Sequence, residues 1–382
     1  MRVVNTSGQS VTAIEKRERI IALDLLRGFF MIAVIVDHIP WAPSLFFLFS
    51  GGGKLFASPA EGFFVISGML VGYLYGPKIL YQTRQIAVKI WKRAGLLYLM
   101  SVGFTILFTC WTLLLPEGRI PLDMWTRSVP SYLLNTFTLR YSYGWTDFLS
   151  RYALFMAIAP LALWLIAKNK WWVVAISSFL IWLLLGRIDL FMPFAAWQLL
   201  FGGGMIIGYY LPHLRKLWNT GISIKQRRTI SYVLVYTTVI TFSLSVLLLV
   251  ILPYANSELQ NGFIDTIVST VQSYPHIFDK QTLGIGRLIL GTIWFSCLYF
   301  FTRTYESKIN TFTKGFVEIF GRNSLFIYGL HAFVLFVILT VIYPIHADNV
   351  FINTILSALT LVVIYFIAKY RHRIFARLHK VK

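Results

Sequence analysis

The sequence predicts an all-α integral membrane protein of about ten transmembrane helices with both termini in the cytoplasm, and three observations predict it. Of 382 residues, 57% are hydrophobic and only 13% charged, and a mean hydropathy of +0.68 leaves far more apolar surface than a soluble core needs. Apolar stretches of roughly 20 residues, the length that crosses a hydrocarbon core of about 30 Å, recur along the whole chain. The basic residues concentrate in every second loop, as the positive-inside rule requires of short cytoplasmic connections. That placement accounts for the formal net charge of +20 as membrane topology, and no nucleic-acid partner is expected.

Residues 1–19 are polar and mixed in charge, a short cytoplasmic tail. The first helix, 20–39, is interrupted by Asp24, Arg27 and Asp37. It therefore lacks the clean apolar region of a signal peptide and is expected to stay in the mature chain. A loop rich in Gly and aromatics leads to the second helix, 59–76, which returns to the cytoplasm. There Lys78, Arg84, Lys89, Lys92 and Arg93 form a basic segment. The third helix, 94–115, is followed by a long outer segment, 116–147, holding Pro121 and Pro130. The fourth and fifth helices, 148–167 and 171–186, are joined by the basic turn Lys168, Asn169, Lys170. The sixth, 197–211, ends at a cytoplasmic loop marked by Arg215, Lys216, Lys225, Arg227 and Arg228. The seventh to tenth cover 230–252, 283–301, 316–341 and 350–368.

A basic tail with Lys369, Arg371, Arg373, Arg377, Lys380 and Lys382 closes the chain, suited to anionic lipid head groups. The organisation is thus a tail (1–19), one polytopic membrane domain (20–368) and a basic tail (369–382). The two cysteines, Cys110 and Cys297, lie inside apolar runs, so no disulfide framework is implied.

A charged side chain at the bilayer centre costs about 2.5–3.5 kcal/mol on insertion scales, so a helix carrying several must turn them into the bundle. The first helix is the outstanding case. Eleven steps separate Arg27 from His38, about three turns, so both share one face roughly 16 Å apart. Asp24 stands three residues before Arg27, close enough to pair with it. A structural ion pair at the inner end is the competing reading of these residues. Histidine, with an unperturbed pKa near 6.5, is the side chain best suited to take a proton from a hydroxyl at neutral pH.

The second helix brings Glu61 in from the same side as His38, which makes a pair in which the carboxylate orients the imidazole. Its Gly68, Gly72 and Gly76 form a small-residue stripe that lets another helix, the first among the candidates, approach closely. The ninth helix adds Ser324, Tyr328 and His331 on one face. Arg287 and Arg151 each stand alone in an apolar helix and need an anionic partner, from the protein or a ligand. Gly202, Gly203 and Gly204 permit close backbone approach. The sequence holds no P-loop, dinucleotide fingerprint, zinc-spaced Cys/His cluster or nucleophile elbow, so neither a metal nor a permanently bound cofactor is expected.

Arg27 and His38, with ten residues between them on the first helix, resemble the Arg-x10-His signature of the acyltransferase-3 membrane acyltransferases. The segments Ala22 to Gly28, Ala60-Glu61-Gly62-Phe63-Phe64 with Ile66-Ser67-Gly68, Pro193-Phe194 with Trp197 to Phe201, and Gly321-Arg322-Asn323-Ser324-Leu325 with His331 resemble its OpgC branch. The chain departs from that family in carrying lysines, Lys89 and Lys92, where arginines are common after the second helix. The resemblance covers nearly the whole chain.

It implies a multi-pass protein of the bacterial inner membrane that moves an acyl group from cytoplasmic acyl-CoA, its cosubstrate, to a hydroxyl of an extracytoplasmic glycan. For the OpgC branch the group is succinyl and the acceptor an osmoregulated periplasmic glucan. On this reading His38 and Glu61 are catalytic. Asp24, Arg27, Arg84, Lys89, Arg93, Arg287, Asn323, Ser324 and His331 bind donor or substrate, with Arg287 the cation for a succinyl carboxylate. O-acetylation of another cell-surface polysaccharide, a glycan or acyl transporter, and a scaffold for glycan synthesis are the alternatives. A transporter predicts inverted repeats, and no convincing internal repeat is present.

Overall fold

A computed structural model describes residues 17–115, 128–189, 193–259, 262–272, 275–342 and 349–380. Among them there is no strand, and the protein is an all-α integral membrane protein. Its principal helices are α1 (Ile21–His38), α2 (Pro59–Tyr75), α3 (Thr83–Leu113), α4 (Val129–Phe137), α5 (Asp147–Ala167), α6 (Trp171–Leu185), α7 (Phe194–Lys216), α8 (Ile224–Val246), α9 (Gly262–Gln272), α10 (Ile285–Thr304), α11 (Phe316–Arg322), α12 (Ser324–Val337) and α13 (Val350–Lys380).

Among the described residues, seven helical segments are long and apolar enough to cross a membrane. The other three helices expected to do so are α1, 18 residues with three charged side chains, α2, 17 residues, and α6, 15 residues.

Three boundaries differ from the sequence expectation, each for a physical reason. The basic segment after α2 is not a loop, because α3 already begins at Thr83 and runs for 31 residues. That is about 46 Å, well beyond the hydrocarbon thickness. Lys and Arg are good helix formers, so the helix outlasts its apolar window and carries Arg84, Lys89, Lys92 and Arg93 on its first three turns. Likewise α13 continues as helix through Lys380. The expected ninth helix is instead two, α11 and α12, broken at Asn323, which takes φ −107° and ψ 20°. Of the expected tails, residues 1–16, 381 and 382 lie outside the described residues. So do Pro121 and the side chains of Arg373, Arg377 and Lys380.

Close backbone contacts fix the arrangement. The glycine stripe of α2 packs on α7 rather than on α1: a Cβ at Gly68 or Gly72 would fall on the carbonyls of Phe201 or Met205. In return, a Cβ at Gly204 or Gly208 of α7 would fall on those of Val65 or Met69. α1 makes the equivalent reciprocal contact with α11, Gly28 against the Val317 carbonyl and Gly321 against that of Asp24. α1 is thereby held between α2, α10, α11 and α12 at the centre of the bundle. An aromatic cluster fills the core beside it. Phe64 meets Phe148 at 4.2 Å and Trp197 at 5.4 Å between ring centroids.

Candidate active site

Two clusters of polar side chains lie along α1, one around Arg27 and one around His38. At the first, Arg27 is buried, and its guanidinium sits over the Phe63 ring at 4.9 Å. It does not pair with Asp24, as the sequence suggested. Asp24 instead binds Arg19 Nε at 2.5 Å. Tyr152, Arg93 and Asp24 are all Arg27's electrostatic neighbours. Arg93 stands over the Tyr152 ring at 5.9 Å. The Nε atoms of both arginines are buried without a hydrogen bond, and neither arginine is ion-paired among the described residues. Two adjacent guanidinium groups that make no ion pair are a place where a ligand's anion is stabilised. Arg84 and Lys89, by contrast, are exposed and lie outside this cluster.

At the other end of α1, His38 meets not Glu61 but His331 of α12, Nδ1 to Nε2, at 3.4 Å. His331 is fully buried, and its Nδ1 contacts the Tyr328 carbonyl at 2.5 Å. A carbonyl only accepts, so this nitrogen carries the proton and His331 Nε2 is left as an acceptor. His38 Nδ1 must then donate to it, which leaves the Nε2 lone pair of the half-buried His38 free. The chain of bonds thus selects the His38 tautomer a general base needs. The Tyr328 hydroxyl donates to the Trp145 carbonyl, and the Trp145 ring faces His38 at 6.3 Å. Ser324 is buried, while the Asn323 side chain donates to the Ile319 carbonyl at 3.1 Å, so neither reaches this cluster.

Glu61 has other partners. Ser58, Pro59 and Glu61 form the capping box of α2, with the carboxylate accepting from the Ser58 amide at 3.0 Å and hydroxyl at 3.2 Å. Its Oε1 also takes Arg287 Nη1 at 2.5 Å. The remaining Arg287 nitrogens donate to the Phe278 and Leu55 carbonyls at 2.9 and 2.8 Å. Glu61 and Arg287 therefore satisfy each other, correcting the expectation that one orients His38 and the other binds a substrate carboxylate. Arg151 likewise has its anion within the protein, the Asp147 carboxylate.

Sequence reasoning missed Lys280. It sits in the turn between the short helix Pro275–Phe278 and α10, where no periodicity signals it. His38, Asp37, Glu61, Asp147 and Arg287 are all within its electrostatic reach. Burial holds its ammonium below the ordinary lysine range. Beside it is Gly53, the last of three consecutive left-handed glycines, Gly51, Gly52 and Gly53 at φ 80°, 59° and 77°, a conformation that favours glycine. The Cβ position of Gly53 is 3.7 Å from Lys280 Nζ.

A cavity of about 860 Å³ lies elsewhere, between α2, α7 and α10. It runs from the Glu61–Arg287 pair past Val65, Gly203 and Phe295 to Arg215 and Arg303, and His38 does not line it. Among the described residues no group of acidic, His and Cys side chains is arranged to hold a metal ion.

Fold and site define a helical membrane protein in which a histidine pair and a cluster of unpaired arginines stand at separate depths along one helix. A family model described as OpgC protein matches residues 19–375, and the chain belongs to the OpgC family. Comparison with curated proteins and with solved structures finds no match.

Proposed function

We propose that this protein is a bacterial inner-membrane O-acyltransferase, with both termini in the cytoplasm, that moves a succinyl group from cytoplasmic acyl-CoA to a hydroxyl of a periplasmic glucan. The observation that carries the reading is the His38–His331 pair, which leaves His38 Nε2 unprotonated about 16 Å along α1 from the buried Arg27, which with the half-buried Arg93 beside it makes no ion pair among the described residues. Membership of the OpgC family supports the class of chemistry and of acceptor.

In this account the donor enters from the cytoplasmic end. Arg27 and Arg93 hold an anionic group of coenzyme A by charge-assisted bonds, and the exposed Arg84 and Lys89 attract it electrostatically. The pantetheine arm, of comparable length to the 16 Å separation, carries the thioester to His38. A glucan hydroxyl approaches from the opposite side, where the Trp145 face offers an apolar platform for a sugar ring. His38 Nε2 takes the hydroxyl proton while the oxygen attacks the thioester carbonyl carbon. The resulting imidazolium is steadied through Nδ1 by His331. Collapse of the tetrahedral intermediate breaks the C–S bond, the thiolate takes the proton back from His38, and free coenzyme A leaves.

The test is glucan-dependent release of coenzyme A by the purified protein in nanodiscs, with succinyl- and acetyl-CoA offered separately. Release that prefers succinyl supports the reading. Release with acetyl-CoA alone assigns an O-acetyltransferase, and release with neither donor refutes transfer.

A further inference from the structure

We infer that the cavity between α2, α7 and α10 is a binding site for an anionic phospholipid, with one acyl chain along its apolar interior and the phosphate at Arg215 and Arg303. The inference is independent of the transferase reading, because no residue of the His38 or Arg27 cluster lines this cavity.

The first argument is the chemistry of the walls. α7 packs closely on α2 and α6, whereas α10 packs on α1 and α8, and the cavity lies where α7 and α10 diverge. At about 860 Å³ it falls in the size range of ligand pockets, about 300–1,000 Å³. Between its two ends the walls are Val65, Met69, Ile207, Leu211, Leu288 and Phe295. Thr292 turns its hydroxyl back to the Leu288 carbonyl at 2.7 Å, and Gly203 adds width, since a Cβ there would meet nothing within 4 Å. At the far end Glu61 and Arg287 are bonded to each other, so the interior presents no net charge. Such walls offer water few of the two to four partners it needs, and they suit a hydrocarbon chain.

The second argument is length and access. Along α10 the helix rises about 24 Å from Arg287 to Arg303. An acyl chain covers one leaflet, about half of a 30 Å hydrocarbon core, so one chain with its glycerol linkage fits between the basic end and the buried ion pair. Ile207, Leu214 and Leu217 line the cavity and are also exposed. Exposed apolar side chains on a membrane-spanning helix face lipid, so the cavity opens sideways onto the bilayer. A phospholipid can enter there without leaving the membrane.

The third argument is charge at the mouth, the cytoplasmic end under the positive-inside rule. Arg215 is half-buried, and its Nε and Nη2 donate to the Tyr299 hydroxyl of α10 at 3.1 and 2.9 Å. A hydroxyl fixes the guanidinium without neutralising it, and Arg215 makes no ion pair among the described residues. Arg303 is exposed and shares Glu306 at 3.2 Å, a surface pair that contributes little and yields readily to a phosphate. Trp218 lies against Phe300 beside them, 4.6 Å between ring centroids, and aromatic rings of this kind mark the head-group depth. The exposed Lys225 stands just beyond, on a hollow that shares Ile222 with the cavity. Apolar walls closed by a cationic, aromatic mouth match an anionic phospholipid. Coenzyme A suits them poorly, since its nucleotide would face hydrocarbon and its thioester would not reach His38.

The experiment places the protein in phosphatidylcholine nanodiscs doped with phosphatidylglycerol that carries a diazirine at mid-chain, or with a phosphatidylcholine probe of the same chain at equal dose. After photolysis the labelled residues are mapped. Labelling of Val65, Met69 and Phe295 in the cavity is read as a ratio to that of Leu359 and Val363, exposed on α13, which report bulk lipid. In the wild type this ratio should be about fivefold higher for the anionic probe, the contribution of about one arginine at a membrane surface. Gly203→Leu should lower the ratio for both probes by filling the cavity, and Arg215→Gln with Arg303→Gln should remove the difference between them. Labelling confined to Leu359 and Val363 in the wild type overturns the inference even if no variant folds, and so does equal labelling of the cavity by the two probes. An unchanged ratio in a Gly203→Leu protein of wild-type thermal stability overturns it as well.

Discussion

Replacing Glu61 by glutamine separates the structural role the geometry gives this residue from the catalytic role its sequence position suggests. Glutamine can still reach back to Ser58 and keep the capping box, but it leaves the Arg287 guanidinium, 3% exposed, without its anion. Breaking one side of a buried ion pair costs about 3–5 kcal/mol. Arg287→Met should cost a similar amount by stranding the carboxylate. The double variant removes both charges together and should cost clearly less than the sum, a coupling of about 2 kcal/mol or more. Unfolding free energies of the four proteins, from denaturant titration in mixed micelles, give the cycle. Transfer per folded molecule should persist in Glu61→Gln. Wild-type stability of Glu61→Gln combined with loss of transfer would refute this reasoning and return Glu61 to His38.

Three further outcomes are expected. His331→Phe removes the acceptor for His38 Nδ1 and should lower kcat with little change in KM, by up to the hundred- to ten-thousand-fold span of general base catalysis; unchanged kcat would show that the pair is only packing. Arg27→Met should raise KM for acyl-CoA far more than Arg84→Ala, since Arg27 is buried without an anion and Arg84 is exposed; equal effects in titrations of donor would count against the arginine cluster. Gly28→Ala should destabilise by about 1–3 kcal/mol or more through overpacking against Val317, whereas Gly203→Ala, with nothing within 4 Å of its Cβ, should be neutral or stabilising in the same unfolding assay.

The parts of the site that could be read in the sequence are those that defy their surroundings. Arg27 and His38 stand out because ionisable groups in an apolar helix are costly, and His331 because it shares a helix face with Ser324 and Tyr328. The partners were harder. Glu61 enters the bundle beside His38, but Ser58-Pro59-Ala60-Glu61 is also a capping-box pattern with proline at the first helical position, and that local signal points to the helix end where the structure puts it. Gly68 and Gly72 mark a close contact without naming the helix opposite, which depends on the whole bundle. The length of α3 was hidden because hydropathy falls at Arg93 while helix propensity does not. Lys280 lies in a turn without periodicity, and only its three-dimensional neighbours reveal that it faces Asp37 and His38.

The central claim is transfer with His38 as the base, and coenzyme A release by the His38→Ala protein beside the wild type, in nanodiscs with succinyl-CoA and glucan, tests it most directly. The account expects glucan-dependent release by the wild type and its loss in a His38→Ala protein that folds normally. Wild-type turnover by that variant would contradict it.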